Sequence, residues 1–277
     1  MLMTQTDRNI DHLMIILAAI IWGSSGAFIK YLALSPGVIS FFRMGLPVLV
    51  LGLFFLVRKT QVFHKGIWLL LIASVVNAVR LFFFYLCFLN APIGNAVIIL
   101  YTWPVFAAIF SFLFLKESLP LINIGLLIVA ILGIVLVFSD KPFRFEDDVF
   151  WGMTAMLISA ALNAVAVIMF KHETNRFSSL EIVFFQNLVG ALLFLPFLFM
   201  GLEELTLHKS SVASGYAFLV GIIGFGLFFF GLKKVKASTA SFLTYIEVIS
   251  AILFGVFLFD ETLSWNEISG GVLIILS

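Results

Sequence analysis

YTWPVFAAIFSFLFLKESL, residues 101–119, returns 144 positions later as YIEVISAILFGVFLFDETL, residues 245–263. Each is a long apolar run that closes on an acid-hydroxyl-Leu step, Glu117-Ser118-Leu119 and Glu261-Thr262-Leu263. The offset is close to half of the 277 residues. Internal duplication of apolar runs is a habit of membrane transporters more than of enzymes.

Composition points the same way. Hydrophobic residues make up 62% of the chain and charged residues 11%, with 34 phenylalanines. Soluble domains carry roughly 45–50% apolar and about 25% charged residues. A lipid-facing bundle can use the excess apolar surface; a soluble core cannot. The single cysteine, Cys87, excludes a disulfide framework within the chain. A net charge of +1 argues against a nucleic-acid partner. The polar opening MLMTQTDRNIDHL has one basic residue, and no cleavage site follows it, so the first apolar run reads as a retained helix.

Nine apolar runs are long enough to span a bilayer and a tenth is cut short, at about 13–34, 37–57, 66–88, 93–115, 121–138, 150–170, 179–200, 213–232, 238–259 and 266–277. Pro and Gly punctuate the tight connections at Pro36, Gly37, Pro92, Gly94 and Pro120. The last run would rise only about 18 Å, so the second copy predicts several more residues beyond Ser277. The runs are continuously apolar, which excludes the alternation of a transmembrane β-barrel. One set of connections holds ten Lys and Arg, among them Arg58, Lys59 and Lys65, and the other set four, Lys30, Lys141, Arg144 and Lys209. That bias predicts a cytoplasmic N-terminus in the inner membrane.

The fold class expected is an all-α polytopic membrane protein of ten transmembrane helices. Residues 1–139 form the first five-helix repeat and residues 140–277 the second. Five is odd, so the second copy enters from the opposite side and the repeat is inverted. Seven identities relate residues 95–132 to 239–276, among them Tyr101/Tyr245, Ala107/Ala251, Phe110/Phe254 and Glu117/Glu261. The front halves rhyme as well, with residues 21–30 over residues 162–171.

Three local features resemble the EamA-type members of the drug/metabolite transporter superfamily. Trp22-Gly23-Ser24-Ser25 is similar to the family's Trp-Gly-Ser/Thr start. Pro36 followed by Arg43 is similar to its Pro and Arg opening helix 2. Residues 116–119 and 260–263 match its acid-hydroxyl-Leu helix ends. The resemblance covers nearly the whole chain and implies alternating access without ATP. The second half departs at its front, where Asn163-Ala164-Val165 replaces Trp-Gly and Gln186 stands where Arg43 would map. That departure implies unequal contributions of the two halves to a substrate site.

Glu247 is the most informative single residue. It falls about nine residues into span 9, where an acid is costly and normally faces a cavity or a partner. Ser241, Thr244 and Glu247 recur every three residues as one polar stripe. The carboxylate either binds a cationic or zwitterionic substrate or a proton, or forms a structural pair with Arg43 or Arg80. Arg80 lies mid-span on the stripe Ser74, Asn77, Arg80. It grips a substrate carboxylate or phosphate, or it neutralises Glu247 or snorkels from a shorter helix. Arg43, one to two turns into span 2, either joins the site or snorkels outward. Span 4 offers Asn95, Tyr101, Thr102 and Trp103, with Pro104 freeing the carbonyl of Leu100 and kinking the helix. At the repeat offset Trp103 lies over Glu247, so an aromatic wall of Trp103, Trp22 and Tyr245 opposing the carboxylate suits an organic ammonium. The blander reading of each aromatic is packing. Asn77, Asn163, Gln186 and Asn187 are buried amides, suited to bonds between helices or to substrate.

The four histidines stand in separate connections, and no Walker-type loop appears. No metal, cofactor or ATP is expected. The sequence therefore reads as a secondary transporter of a small organic molecule, an amino acid or related amine or zwitterion, with the lipid bilayer as its surroundings and protons as a candidate coupling ion. The rivals are a non-transporting scaffold and an intramembrane enzyme.

Overall fold

The computed structural model describes residues 5–59, 66–103, 105–107, 109–110, 121–139, 147–173, 176–232 and 243–276. Pro104, residues 116–120 and Ser241, all singled out in the sequence, lie outside them. In chain order the helices are α1 (Gln5–Gly23), α2 (Ser25–Leu32), α3 (Pro36–Arg58), α4 (Trp68–Asn90), α5 (Ile93–Leu100) and α6 (Leu121–Ser139). Then follow α7 (Asp148–Glu173), α8 (Ser179–Met200), α9 (Leu207–Phe218), α10 (Phe225–Leu232), α11 (Ile246–Phe259) and α12 (Trp265–Leu276). A π-helical turn, Leu219–Gly224, joins α9 to α10.

Among the described residues six helices are long and apolar enough to cross a bilayer: Ile10–Leu32, Pro36–Arg58, Trp68–Asn90, Asp148–Phe170, Leu180–Met200 and Leu207–Phe228. Ile93–Ala107, Ile246–Phe259 and Trp265–Leu276 are shorter apolar helices. With α6 they fill the places of the ten expected spans. The surface fits lipid rather than water. Leu56 is 76% exposed, Phe257 77% and Met200 80%, a belt no soluble monomer presents. Trp68 and Trp265, each at a helix start, suit the membrane interface.

Contacts between the halves come in mated pairs, as a twofold would require. α4 packs on α7 and, in the second half, α10 packs on α1. α5 on α7 is mated by α11 on α1, and α4 on α8 by α9 on α3. Three contacts are their own mates: α3 with α8, α5 with α11, and α6 with α12. The α5–α11 contact therefore lies on the axis.

Helix ends sort to two faces of the bundle. At one face Glu204 accepts from the Ser35 amide at 2.7 Å, ahead of α3, and Tyr31 meets His208. There, too, Glu261 accepts from the Ile93 amide at 2.7 Å and the Gly94 amide at 3.4 Å, while its other oxygen pairs with Lys30. Lys30, one of the four basic residues on the less basic set of connections, is tied to Glu261, which caps α5 in the same contact. At the opposite face Arg176 donates to the Gly66 carbonyl at 3.2 Å.

Candidate substrate site

Helix breaks place the central side chains. α5 ends at Leu100, and Tyr101 and Thr102 form a turn before the helix resumes at Trp103. Thr102 satisfies the break through its own hydroxyl, which donates to the Ile99 carbonyl at 2.7 Å. The second copy breaks at Tyr245, the repeat mate of Tyr101, where the Val248 amide reaches back only three residues to the Tyr245 carbonyl. The two tyrosine rings lie 5.3 Å apart across the axis. Broken spans meeting at mid-depth are how transporters expose polar groups to a substrate.

Glu247 sits in the first turn of α11, just past its break. Tyr101 Oη donates toward both Glu247 Oε2 at 2.9 Å and the Thr244 carbonyl at 2.8 Å. Gly23 makes this geometry possible from the other side. A Cβ there would stand 2.8 Å from the Glu247 carbonyl and 3.0 Å from the Ala251 amide, so only glycine lets α1 approach α11 this closely.

Arg80 Nε donates to Asn77 Oδ1 at 3.1 Å, one turn back along α4, and its guanidinium lies 6.0 Å from the Phe84 ring. Ser159 of α7 donates to the Arg80 carbonyl at 3.0 Å, which ties α7 to α4 at this level. Arg43 lies over the Phe225 ring at 5.4 Å and beside Gly221 in the π-helical turn. Arg80 is within electrostatic range of Arg43, Glu247, Tyr85 and Tyr216. Among the described residues neither arginine comes within 4.0 Å of a carboxylate, so Arg80 and Glu247 are neighbours without a closed ion pair.

The structure thus brings together Glu247, Tyr101, Thr244 and Tyr245, with Arg80, Asn77 and Arg43 in the same interior. Trp22 lies on α1 against Phe225 and Phe228, at 4.9 and 5.0 Å, with its Nε1 buried and unpartnered beside Gly224. Trp103 and Asn163 are half-buried, and among the described residues no hydrogen bond joins either to this group. Asn187 is satisfied by the Val183 carbonyl of its own helix at 2.7 Å. Asn95 donates to Glu267 at 2.6 Å, a buried contact near the face where Glu261 caps α5. Tyr216 was not singled out in the sequence, yet its hydroxyl lies 3.3 Å from that of Tyr85, both fully buried. The available signal was a lone tyrosine among small residues, residues 210–217, in an otherwise apolar span. The π-helical turn had no signal beyond its glycines, although such turns concentrate at functional sites.

A twofold bundle in a lipid belt, with helices broken on the axis around interior charge, defines a polytopic membrane transporter. The EamA-like transporter family model matches residues 9–139 and 150–277, and the chain belongs to that family. It is 24% identical over 270 residues to a pseudopaline exporter of Pseudomonas aeruginosa, covering 96% of this chain and 93% of that one. It is 24% identical to solute carrier family 35 member G1 of Mus musculus, over 95% of this chain and 75% of that one. An S-adenosylmethionine uptake transporter of Rickettsia conorii is 24% identical over 67% of this chain and 61% of its own. A solved crystal structure shares the fold with a TM-score of 0.63 at 18% identity, over 96% of this chain and 93% of its own. The family and these relatives are transporters rather than enzymes, so the substrate is a small molecule and the partner surface is lipid.

Proposed function

We propose that this chain is a secondary transporter of an amino acid or related amine-bearing metabolite across the cytoplasmic membrane. Residues 1–139 and 140–277 act as the two inverted halves, and they alternate access to one site between them. Glu247 takes the ammonium end of the substrate, Arg80 the carboxylate end, and the faces of Tyr101 and Tyr245 add cation–π attraction. Glu247 also serves as the proton carrier when no substrate is bound. Trp22, Trp103, Asn77, Thr244, Arg43 and Asn163 complete the candidate lining.

The observation that carries this reading is the position of Glu247. It is a carboxylate at a place where both halves break their helices, held by a tyrosine from the opposite half and without an ion pair to the nearby arginine among the described residues. A carboxylate there solely for stability would be closed into an ion pair, since an open buried charge is costly. The names of the relatives include both an exporter and an uptake transporter, so the architecture serves either direction.

Counterflow in proteoliposomes tests the proposal, with amino acids, simple amines and nucleotide derivatives, with and without a pH gradient. Uptake of at least one amine-bearing compound is expected, and Glu247→Gln should abolish it or its pH dependence while leaving the purified protein folded. Wild-type transport by that variant across pH 5–8 would sink the assignment.

A further inference from the structure

The interior charge does not balance, and the imbalance bears on what is carried. This step rests on the amine-bearing substrate proposed above and narrows it. Counting helix rise from the face where α3 begins and α4 and α11 end, Arg43 lies about 10 Å deep, Arg80 about 15 Å and Glu247 about 18 Å. Among the described residues, two guanidinium groups therefore share this depth with one carboxylate, the other buried acids, such as Asp11, Glu173, Glu181 and Glu267, lying towards helix ends. An arginine stays charged in protein interiors, so neither can relieve the excess by losing its proton. Glu247 is already engaged by Tyr101. What the guanidinia have instead are neutral groups: Asn77 and Phe84 for Arg80, Phe225 for Arg43.

Arg43 is not escaping to the membrane surface. Its guanidinium turns to the π-helical turn, where a Cβ on Gly221 would stand 2.8 Å from Nη1. Gly221 is the third residue of that turn, and its missing side chain is the space the guanidinium occupies. Arg43 and Arg80 both lie within electrostatic range of the buried Tyr85 hydroxyl, which bonds Tyr216. Two like charges held near each other at low dielectric repel, and no fold gains stability from that arrangement alone. A bound anion would resolve it.

We propose that the site takes an amino dicarboxylate: one ammonium on Glu247, one carboxylate on Arg80 and a second on Arg43. Such a substrate carries a net charge of minus one and cancels the excess positive charge that the two arginines leave over Glu247. Arg43 is then the residue that separates acidic substrates from their neutral amides. The discrimination has the asymmetry expected of buried polar sites, because an amide in place of the second carboxylate leaves Arg43 without its counter-charge.

The test compares L-aspartate, L-glutamate and L-2-aminoadipate with their side-chain amides in counterflow, using the full chain in proteoliposomes. At least one acid should be preferred over its amide by about tenfold or more in kcat/KM, the ratio that losing one charge-assisted contact gives. Arg43→Gln should bring that ratio close to one, and Arg43→Lys should keep part of it. If Arg43→Gln does not fold, thermal unfolding of the wild-type protein in detergent gives the same comparison, because the preferred acid must raise the midpoint more than its amide. Equal handling of acids and amides by the wild type, or a ratio unchanged in Arg43→Gln, overturns this inference and leaves the amine transporter standing. Failure to transport or bind any amine-bearing compound removes both.

Discussion

At the scale of single residues the candidate site turns on Tyr101. Among the described residues it is the one side chain that joins the halves by a hydrogen bond to Glu247, donating to the carboxylate and to the Thr244 carbonyl. A hydrogen bond to a charged group contributes about 1.5–3 kcal/mol, so Tyr101→Phe should lower kcat/KM for the transported amine by about 10- to 100-fold. Counterflow checks this, and a variant with unchanged kinetics would mean that the contact plays no part in transport. The sequence made Glu247 legible, because an acid inside an apolar run demands a reason. It did not reveal the partner. Matching the repeats sets Trp103 against Glu247, but residues related by a twofold meet only on the axis. Tyr101 and Tyr245 are on it, as their ring contact shows. Trp103 and Glu247 are off it, so Glu247 meets a residue two positions before its mate. Sequence correspondence identifies mates, and only packing identifies the axis.

At the scale of elements the two breaks have different causes. Pro104 lacks the amide hydrogen that the Leu100 carbonyl would accept, so a fault near Tyr101 was readable. The mate of Pro104 is Val248, which has its amide, and the break at Tyr245 was not readable from local chemistry. The acid-hydroxyl-Leu ending was readable as a helix end but not as a cap, because the helix it caps lies 168 residues away in sequence. Glu261 satisfies two amides at the start of α5 and holds Lys30, with its side chain 11% exposed. Glu261→Ala leaves those amides without an acceptor and should cost about 1–2 kcal/mol, in the range of a lost helix cap. Glu261→Gln keeps an acceptor and should cost less, since the ion pair with the partly exposed Lys30 is screened. Thermal unfolding in detergent should rank the wild type above the glutamine variant and the alanine variant lowest. Identical unfolding of all three would reduce the motif to a surface contact.

At the scale of the molecule the arrangement of charge on the connections predicts how the bundle stands in the membrane. Composition alone was enough for a lipid-embedded bundle, because 62% apolar residues against 11% charged exceed what a soluble core can use. The mated contacts were not readable, since periodicity shows which stripe of a helix is apolar but not which helix covers it. Orientation stands between these cases. Arg58 and Lys59 close α3 at the face that also carries Arg176, whereas Glu203 and Glu204 lie in the short turn before α9 at the opposite face. Basic residues are retained on the cytoplasmic side, so the Lys59 face should be inside and the Glu203 face outside. Both residues are exposed, and the one native cysteine, Cys87, is buried in α4. A Cys87→Ser background therefore gives a clean labelling experiment with a membrane-impermeant maleimide. Glu203→Cys should react in intact cells and Lys59→Cys only after permeabilisation. The reverse pattern would put the N-terminus outside. It would also place the Lys30–Glu261 contact on the cytoplasmic face, so that Arg43, the shallowest of the three interior charges, would be the first a cytoplasmic substrate meets.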